Sequence, residues 1–168
     1  VMVWGLIAFA ISTTRTSLPK NTVEATFIDV GHGSSIVLRL PDGRVCLYDC
    51  GRMGNAEGNS RRIDTTLWSM GITELDAVIL SHADADHYNA LPGLLRRFRV
   101  NQIVTPIDML ATDEHGLEPI RQAIQAEEIP VVEVSTGEQL LTGEAIKLDV
   151  LHPPAAGVSG SDNANSLV

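Results

Sequence analysis

The sequence predicts an α+β fold in which sheets are covered by helices, and three observations carry that prediction. Short segments with strand patterning recur, two of them joined by a Pro-Asp-Gly turn. Stretches with one apolar helical face are interleaved irregularly with those strands, unlike the even spacing of an all-β barrel. The run Leu75 to Ser81 is almost wholly apolar, as in a strand buried on both faces.

In chain order, Val23 to Val30 alternates apolar and polar residues as a half-buried strand does, and ends in the turn Gly31-His32-Gly33. Ile36 to Leu40 and Val45 to Asp49 form a hairpin, because Pro41 and Gly43 preset the dihedrals of the turn between them. A loop rich in glycine and asparagine follows, from Gly51 to Asn59. Ser60 is placed to cap a helix over Arg61 to Met70, whose Ile63, Leu67 and Met70 share a face and which Gly71 stops. The Leu75 to Ser81 strand then delivers His82 at its carboxyl end. A helix from about Asn89 to Phe98, a strand near Gln102 to Thr105, a helix from about Leu117 to Glu127, and strands at Val131 to Val134 and Ala145 to Leu151 complete the order.

The 168 residues, 44% hydrophobic and 20% charged, suffice for one domain with a real core. A formal net charge of -9 argues against a protein that coats nucleic acid, since that task rests on Lys and Arg neutralising phosphates. Carboxylates that hold divalent cations also count as negative in this sum, although a loaded site neutralises them. Cys46 and Cys50 lie four apart in one strand, roughly 13 Å between Cα atoms at about 3.3 Å per residue, so they cannot pair.

Residues 1–13 read as the end of a transmembrane helix: Val1 to Ile11 is apolar apart from Gly5, but shorter than the roughly 20 residues a bilayer requires. A signal segment is an alternative, with Ala8-Phe9-Ala10 as a cleavage-like pattern and no basic leader before it; a buried core helix is another. Residues 14–22 read as a linker and 23–168 as the domain.

The chemistry concentrates in His82-Ala83-Asp84-Ala85-Asp86-His87, two imidazoles and two carboxylates directly after a buried strand. At average residue usage, four specified residues at fixed spacing arise on the order of once per million positions, so accident is a poor account of them. On a loop, side chains two apart converge: His82 and Asp84 can share one cation while Asp86 and His87 turn toward a second. Two cations about 3.5 to 4 Å apart activate water and stabilise a departing oxygen, and mixed nitrogen and oxygen donors suit zinc or manganese. Asp84 and Asp86 are also the candidate catalytic residues. A calcium loop is excluded, since the glycine and distal Glu of that motif are missing.

Weaker candidates have bland readings beside them. His32 is an extra ligand or a solvent-facing turn histidine, and His152, before two prolines, is structural or faces the site from a strand end. Asp162 is a possible ligand, and His115 a surface residue at a helix start. Arg96, Arg97 and Arg99 make the one dense basic patch, a solvated helix end or a phosphate clamp.

The order Phe27-Ile28-Asp29-Val30-Gly31-His32-Gly33, Leu47-Tyr48-Asp49, Leu80-Ser81 with the His82 to His87 cluster, and Leu151-His152-Pro153-Pro154 resembles the metallo-β-lactamase superfamily. It is most similar to the ComEC-type branch, in carrying Asp84 where most of the superfamily has a second His and in closing on Asn163-Ala164-Asn165-Ser166-Leu167-Val168. The resemblance implies an αββα sandwich with about its first half present. It also implies two divalent metal ions on His82, Asp84, Asp86 and His87, with Asp49 as a carboxylate behind them that orients a ligand. Two departures stand out: the branch reads Gly-Gln-Gly-Asp where this chain has Gly31-His32-Gly33-Ser34, and Asp-Gly-Gly where it has Asp49-Cys50-Gly51.

The function implied is a metal-dependent phosphodiesterase acting on DNA at the cell surface, in a membrane protein whose domain faces the extracytoplasmic side. A helix beginning just after His87 would add amides that favour a phosphate. The alternatives are a metallo-hydrolase of small esters, thioesters or lactams, and a binding module without turnover. The later ligands that the resemblance implies, a Thr-Gly-Asp-like Asp and a Gly-His-His-like His, have no counterpart here beyond Thr142-Gly143-Glu144, so little activity is expected of these 168 residues alone.

Overall fold

The computed structural model describes residues 18–19, 21–54, 60–113, 115–140 and 146–168. The apolar Val1 to Ile11 segment, most of the linker, Thr142-Gly143-Glu144 and the side chain of Asp162 lie outside the described residues. Among those described, no helix is long and apolar enough to cross a membrane.

The chain folds as β1 (Glu24–Phe27), β2 (Ile36–Arg39), β3 (Val45–Tyr48), α1 (Arg61–Ser69), β4 (Glu74–Leu75), β5 (Ala77–Ile79), α2 (Ala85–Tyr88), α3 (Leu91–Leu95), β6 (Arg99–Val100), β7 (Ile103–Pro106), α4 (Glu118–Ala126), β8 (Val131–Val134), β9 (Gln139–Leu140) and β10 (Leu148–Asp149). Six of the strands make one mixed sheet in the order β1-β2-β3-β5-β7-β8, antiparallel through β3 and parallel beyond it. The β2-β3 hairpin closes as its turn residues dictate, with Gly43 at φ 88° and its amide donating to Leu40 O.

Because side chains alternate across a strand, the sheet sorts its residues onto two faces. Val45, Leu47, Val78, Leu80 and Ile103 pack with Ile63 and Leu67 of α1, Leu91 and Leu94 of α3, and Ile120 and Ile124 of α4. On the other face Cys46, Ala77, Ile79 and Val104 pack against Leu140, Val150 and Leu167, so the β9-β10 pair and the 163–168 segment cover what the helices leave open. This is the α+β character expected, with one helix layer on a mixed sheet. The two cysteines fall on opposite faces, both buried and free.

Three expectations need correction. The Leu75 to Ser81 run is not one strand: Asp76 interrupts it, its carboxylate accepting the Val45 amide while its own amide donates to Val45 O. β4 before it pairs instead with β6. The helix expected from Asn89 is two short ones, the first starting at Ala85 inside the metal motif and the second carrying Pro92 in its first turn, where a missing amide costs nothing. The helix expected directly after His87 thus begins before it, at Ala85, and the next only at Leu91. Finally, Ser60 precedes α1 as expected but makes no side-chain cap; its hydroxyl donates to Asp64 Oδ2, and Arg97 donates to that hydroxyl.

Candidate metal centre

Parallel pairing of β3 with β5, Tyr48 opposite Ile79, brings both strands to an end at the same edge of the sheet. Carboxyl ends of parallel strands are where open α/β sheets hold ligands. Here they place Asp49 beside Ser81 and the His82 to His87 loop. Asp49 sits in the left-handed region at φ 57° and is 1% exposed. Its carboxylate accepts the Ser81 amide at 2.8 Å, the Ser81 hydroxyl at 2.9 Å and His87 Nδ1–H at 2.7 Å.

That arrangement accounts for a proton on Nδ1 of each imidazole. Asp49 can only accept, so His87 Nδ1 carries a proton; the Ser81 hydroxyl, which gives its proton to Asp49, must accept one from His82 Nδ1 at 2.9 Å. With both Nδ1 atoms engaged in this way, the Nε2 atoms face the carboxylates of Asp84 and Asp86 and are the ones a metal would take. The rings lie 4.1 Å apart between centroids. His82 Nε2 stands 3.2 Å from Asp84 Oδ2, and His87 Nε2 4.0 Å from Asp86 Oδ2. Two ligands each about 2.1 Å from a shared cation are at most about 4.2 Å apart, so each pair fits one ion. Among the described residues no three His, Cys, Asp or Glu side chains converge on one point. The donors come as two pairs.

The backbone behind the second pair is packed without slack. Ser34 N donates to Asp86 O and Cys50 N to His87 O. A Cβ on Gly51 would stand 2.1 Å from Asp86 C and O, and one on Gly33 2.8 Å from Asp86 O. Only glycine fits at Gly51. His87 is held above the ordinary histidine pKa by its hydrogen bond to Asp49, against the opposing effect of partial burial.

The weaker candidates lie as follows. His32 is 79% exposed on its turn, with Nε2 3.6 Å from Asp86 Oδ2. His152 is not brought to the cluster's donors; its Nε2–H donates to Ala164 O at 2.8 Å. His115 lies exposed in a single 3-10 turn. Arg97 is engaged with Asp64 at 3.4 Å and Gly93 O at 2.7 Å, which makes it a tie between helices rather than a clamp. Sequence reasoning missed two residues. Ser81 links Asp49 to His82, and Asn163 Nδ2 donates to Asp84 Oδ2 at 2.7 Å from 79 positions away. Beside His82 opens a pocket of about 320 Å³, walled by Pro106, Met109, Pro153, Ala156 and Val158, with Asp108 its one charged lining residue among those described.

The mixed-sheet α+β domain thus gathers paired imidazole and carboxylate side chains where its strands β3 and β5 end. The chain belongs to the metallo-β-lactamase superfamily, whose sequence model matches residues 28–162. It is 28% identical to ComE operon protein 3 of Bacillus subtilis over 158 residues, 86% of this chain and 20% of that protein. It is 33% identical to competence protein ComA of Neisseria gonorrhoeae over 86 residues, 50% of this chain and 12% of that one. With ribonuclease Z of Salinibacter ruber it shares 28% identity over 93 residues, 55% of this chain and 26% of the enzyme. The chain thus spans about a fifth of the length of the first of these relatives and less than a third of the other two.

Proposed function

We propose that this chain carries the metal-binding loop of a phosphodiesterase acting on DNA, within a membrane-anchored DNA-uptake protein whose hydrolase domain, residues 23–168, faces the extracytoplasmic side. The observation that carries the reading is the pairing of Nε2 atoms with carboxylates, His82 with Asp84 and His87 with Asp86, behind one shared Asp49. One relative is named a competence protein, another ComE operon protein 3 and the third ribonuclease Z, which supports a nucleic-acid phosphodiester as substrate. Zinc or manganese bound there would supply Lewis acidity toward a phosphoryl oxygen and activation of water. The chain's own part is to hold the four donors, orient both imidazoles through Asp49 and Ser81, and exclude bulk water from the His82 ring, which is 5% exposed. Anchoring falls to the Val1 to Ile11 segment.

The test is elemental analysis of wild-type protein and Asp86→Ala, followed by DNA cleavage assays on the full reading frame with added manganese or zinc. Bound metal that Asp86→Ala loses, with metal-dependent DNA cleavage, is the expected result. Equal metal in both proteins would remove Asp86 from the site. The pocket beside His82 favours a second reading, hydrolysis of small esters, thioesters or lactams, because its mostly apolar lining offers a phosphate backbone no Lys or Arg among the described residues. Turnover of such compounds without DNA cleavage would select it.

A further inference from the structure

We infer that Asn163 is a positioning residue that holds Asp84 in its ligating orientation; the inference rests on the assignment of His82 and Asp84 as one cation's ligands. Asp84 needs such help more than its neighbours. Its side chain is 42% exposed, and although it precedes α2 its carboxylate makes no cap to that helix. A short carboxylate in that position rotates freely, and ordering it on a metal costs rotamer entropy. Asn163 Nδ2 donates to Asp84 Oδ2 at 2.7 Å, the same oxygen that faces His82 Nε2 at 3.2 Å. A neutral amide suits the task. It occupies one lone pair and leaves the carboxylate its full charge for a cation, where a Lys or Arg would neutralise that charge.

The segment bearing Asn163 is held in place by other bonds. Leu167 N donates to Ser81 O, Tyr48 donates to Leu167 O, and His152 donates to Ala164 O. Asn165 grips Val158 in both directions, accepting from its amide at 2.7 Å and donating to its carbonyl at 3.0 Å. Removing the Asn163 amide therefore frees Asp84 without releasing the segment. The 163–167 stretch ties the end of the sheet, the pocket wall and the metal loop together, and only Asn163 reaches the metal loop's candidate ligands.

The experiment compares wild type, Asn163→Leu (similar size, no donor) and Asn163→Gln (donor kept) in the 168-residue chain. Cobalt(II) titration followed by its visible absorption bands, and zinc calorimetry for stoichiometry, read each site separately; melting of the metal-free proteins reads the fold. The expected result is that Asn163→Leu loses roughly ten- to a hundredfold in affinity for one cation and keeps the other, as for lost outer-shell partners of metal ligands. Its metal-free melting temperature should match wild type, and Asn163→Gln should recover part of the lost affinity. Wild type and Asn163→Leu binding both cations alike would overturn the inference and leave the metal assignment standing. Equal weakening of both cations with a lowered melting temperature would show a merely structural residue and overturn it too. Failure of wild type to bind either metal would overturn the metal assignment itself, and this inference with it.

Discussion

The two donor pairs are built to different plans. His87 and Asp86 are backed by the sheet itself: a buried carboxylate on the His87 ring, amides of Ser34 and Cys50 on the loop carbonyls, and Gly51 with no room for one more carbon. His82 and Asp84 depend on a serine hydroxyl and on an amide that arrives from residue 163. The inner pair is fixed once β3 and β5 have paired. The outer pair takes its support from the distant 163–167 segment, and its carboxylate is partly open to solvent. The shared element is Asp49, which reaches His87 directly and His82 through Ser81.

The comparison breaks hardest at Gly51. Gly51→Ala puts a Cβ 2.1 Å from the Asp86 carbonyl group, and backbone cannot yield as a side-chain tip does. The expected cost is about 3 kcal/mol, the upper end for overpacked sites, read as an earlier denaturation midpoint. A variant as stable as wild type would show the inner pair to have slack. Asp49→Asn comes next. It replaces an acceptor that holds three donors by a group carrying two donors of its own, at a cost of about 2 kcal/mol for a lost charged hydrogen bond. Metal affinity should fall roughly ten- to a hundredfold at both sites, since both imidazoles take their tautomer from it. Loss at one site alone would break the shared link through Ser81.

A third, smaller effect follows from the His87 pKa. A raised value means that the folded chain holds this proton more tightly than the unfolded chain. The His87–Asp49 pair thus contributes stability that is whole below the ordinary histidine value of 6.5 and is lost as pH rises through His87's own higher value. Metal-free protein should therefore lose part of its stability from just below neutral pH upward, and Asp49→Asn should lack that slope. Denaturant midpoints measured with chelator from pH 5.5 to 8.5 check it; parallel slopes would detach His87 from Asp49.

What could be read from the sequence was local or periodic. Alternation gave β1, Pro41 and Gly43 gave the hairpin, and the apolar faces of α1 and α4 gave the helix layer. The split at Asp76 was illegible because one polar residue in an apolar run does not reveal that its carboxylate will bond a neighbouring strand's amide. The start of α2 at Ala85 was hidden for a related reason: donors that suit a metal loop also suit a helix turn, and spacing alone does not choose. The four candidate donors follow from their spacing and Asp49 from the family resemblance, but the other residues that pack against them could not be named. Asn163 and Gly51 meet the cluster across 79 and 35 positions respectively, through one hydrogen bond and one close approach, and neither leaves a periodic mark.

The smallest expected effect concerns His32, and it sharpens the contrast by testing whether the inner pair has a third member. Its Nε2 lies 3.6 Å from Asp86 Oδ2, close enough for a weak ion pair when protonated. The ring is nevertheless 79% exposed on a turn between two glycines, so any contact with Asp86 competes with water and with the freedom of the side chain. The sheet already supplies what the inner pair needs, because Asp49 fixes His87 and the Ser34 and Gly33 backbone fixes Asp86. His32→Ala should accordingly change stability by less than about 0.5 kcal/mol, the range of surface substitutions away from special features. Metal affinity should stay within about threefold of wild type, far from the roughly tenfold or greater loss that follows removal of groups bearing on a ligand. Calorimetry with zinc, run beside His87→Ala as the reference for a lost ligand, decides it. A His32→Ala loss approaching that of His87→Ala would make His32 a ligand, and would mean that the inner pair is completed by an exposed side chain, as the outer pair is by Asn163.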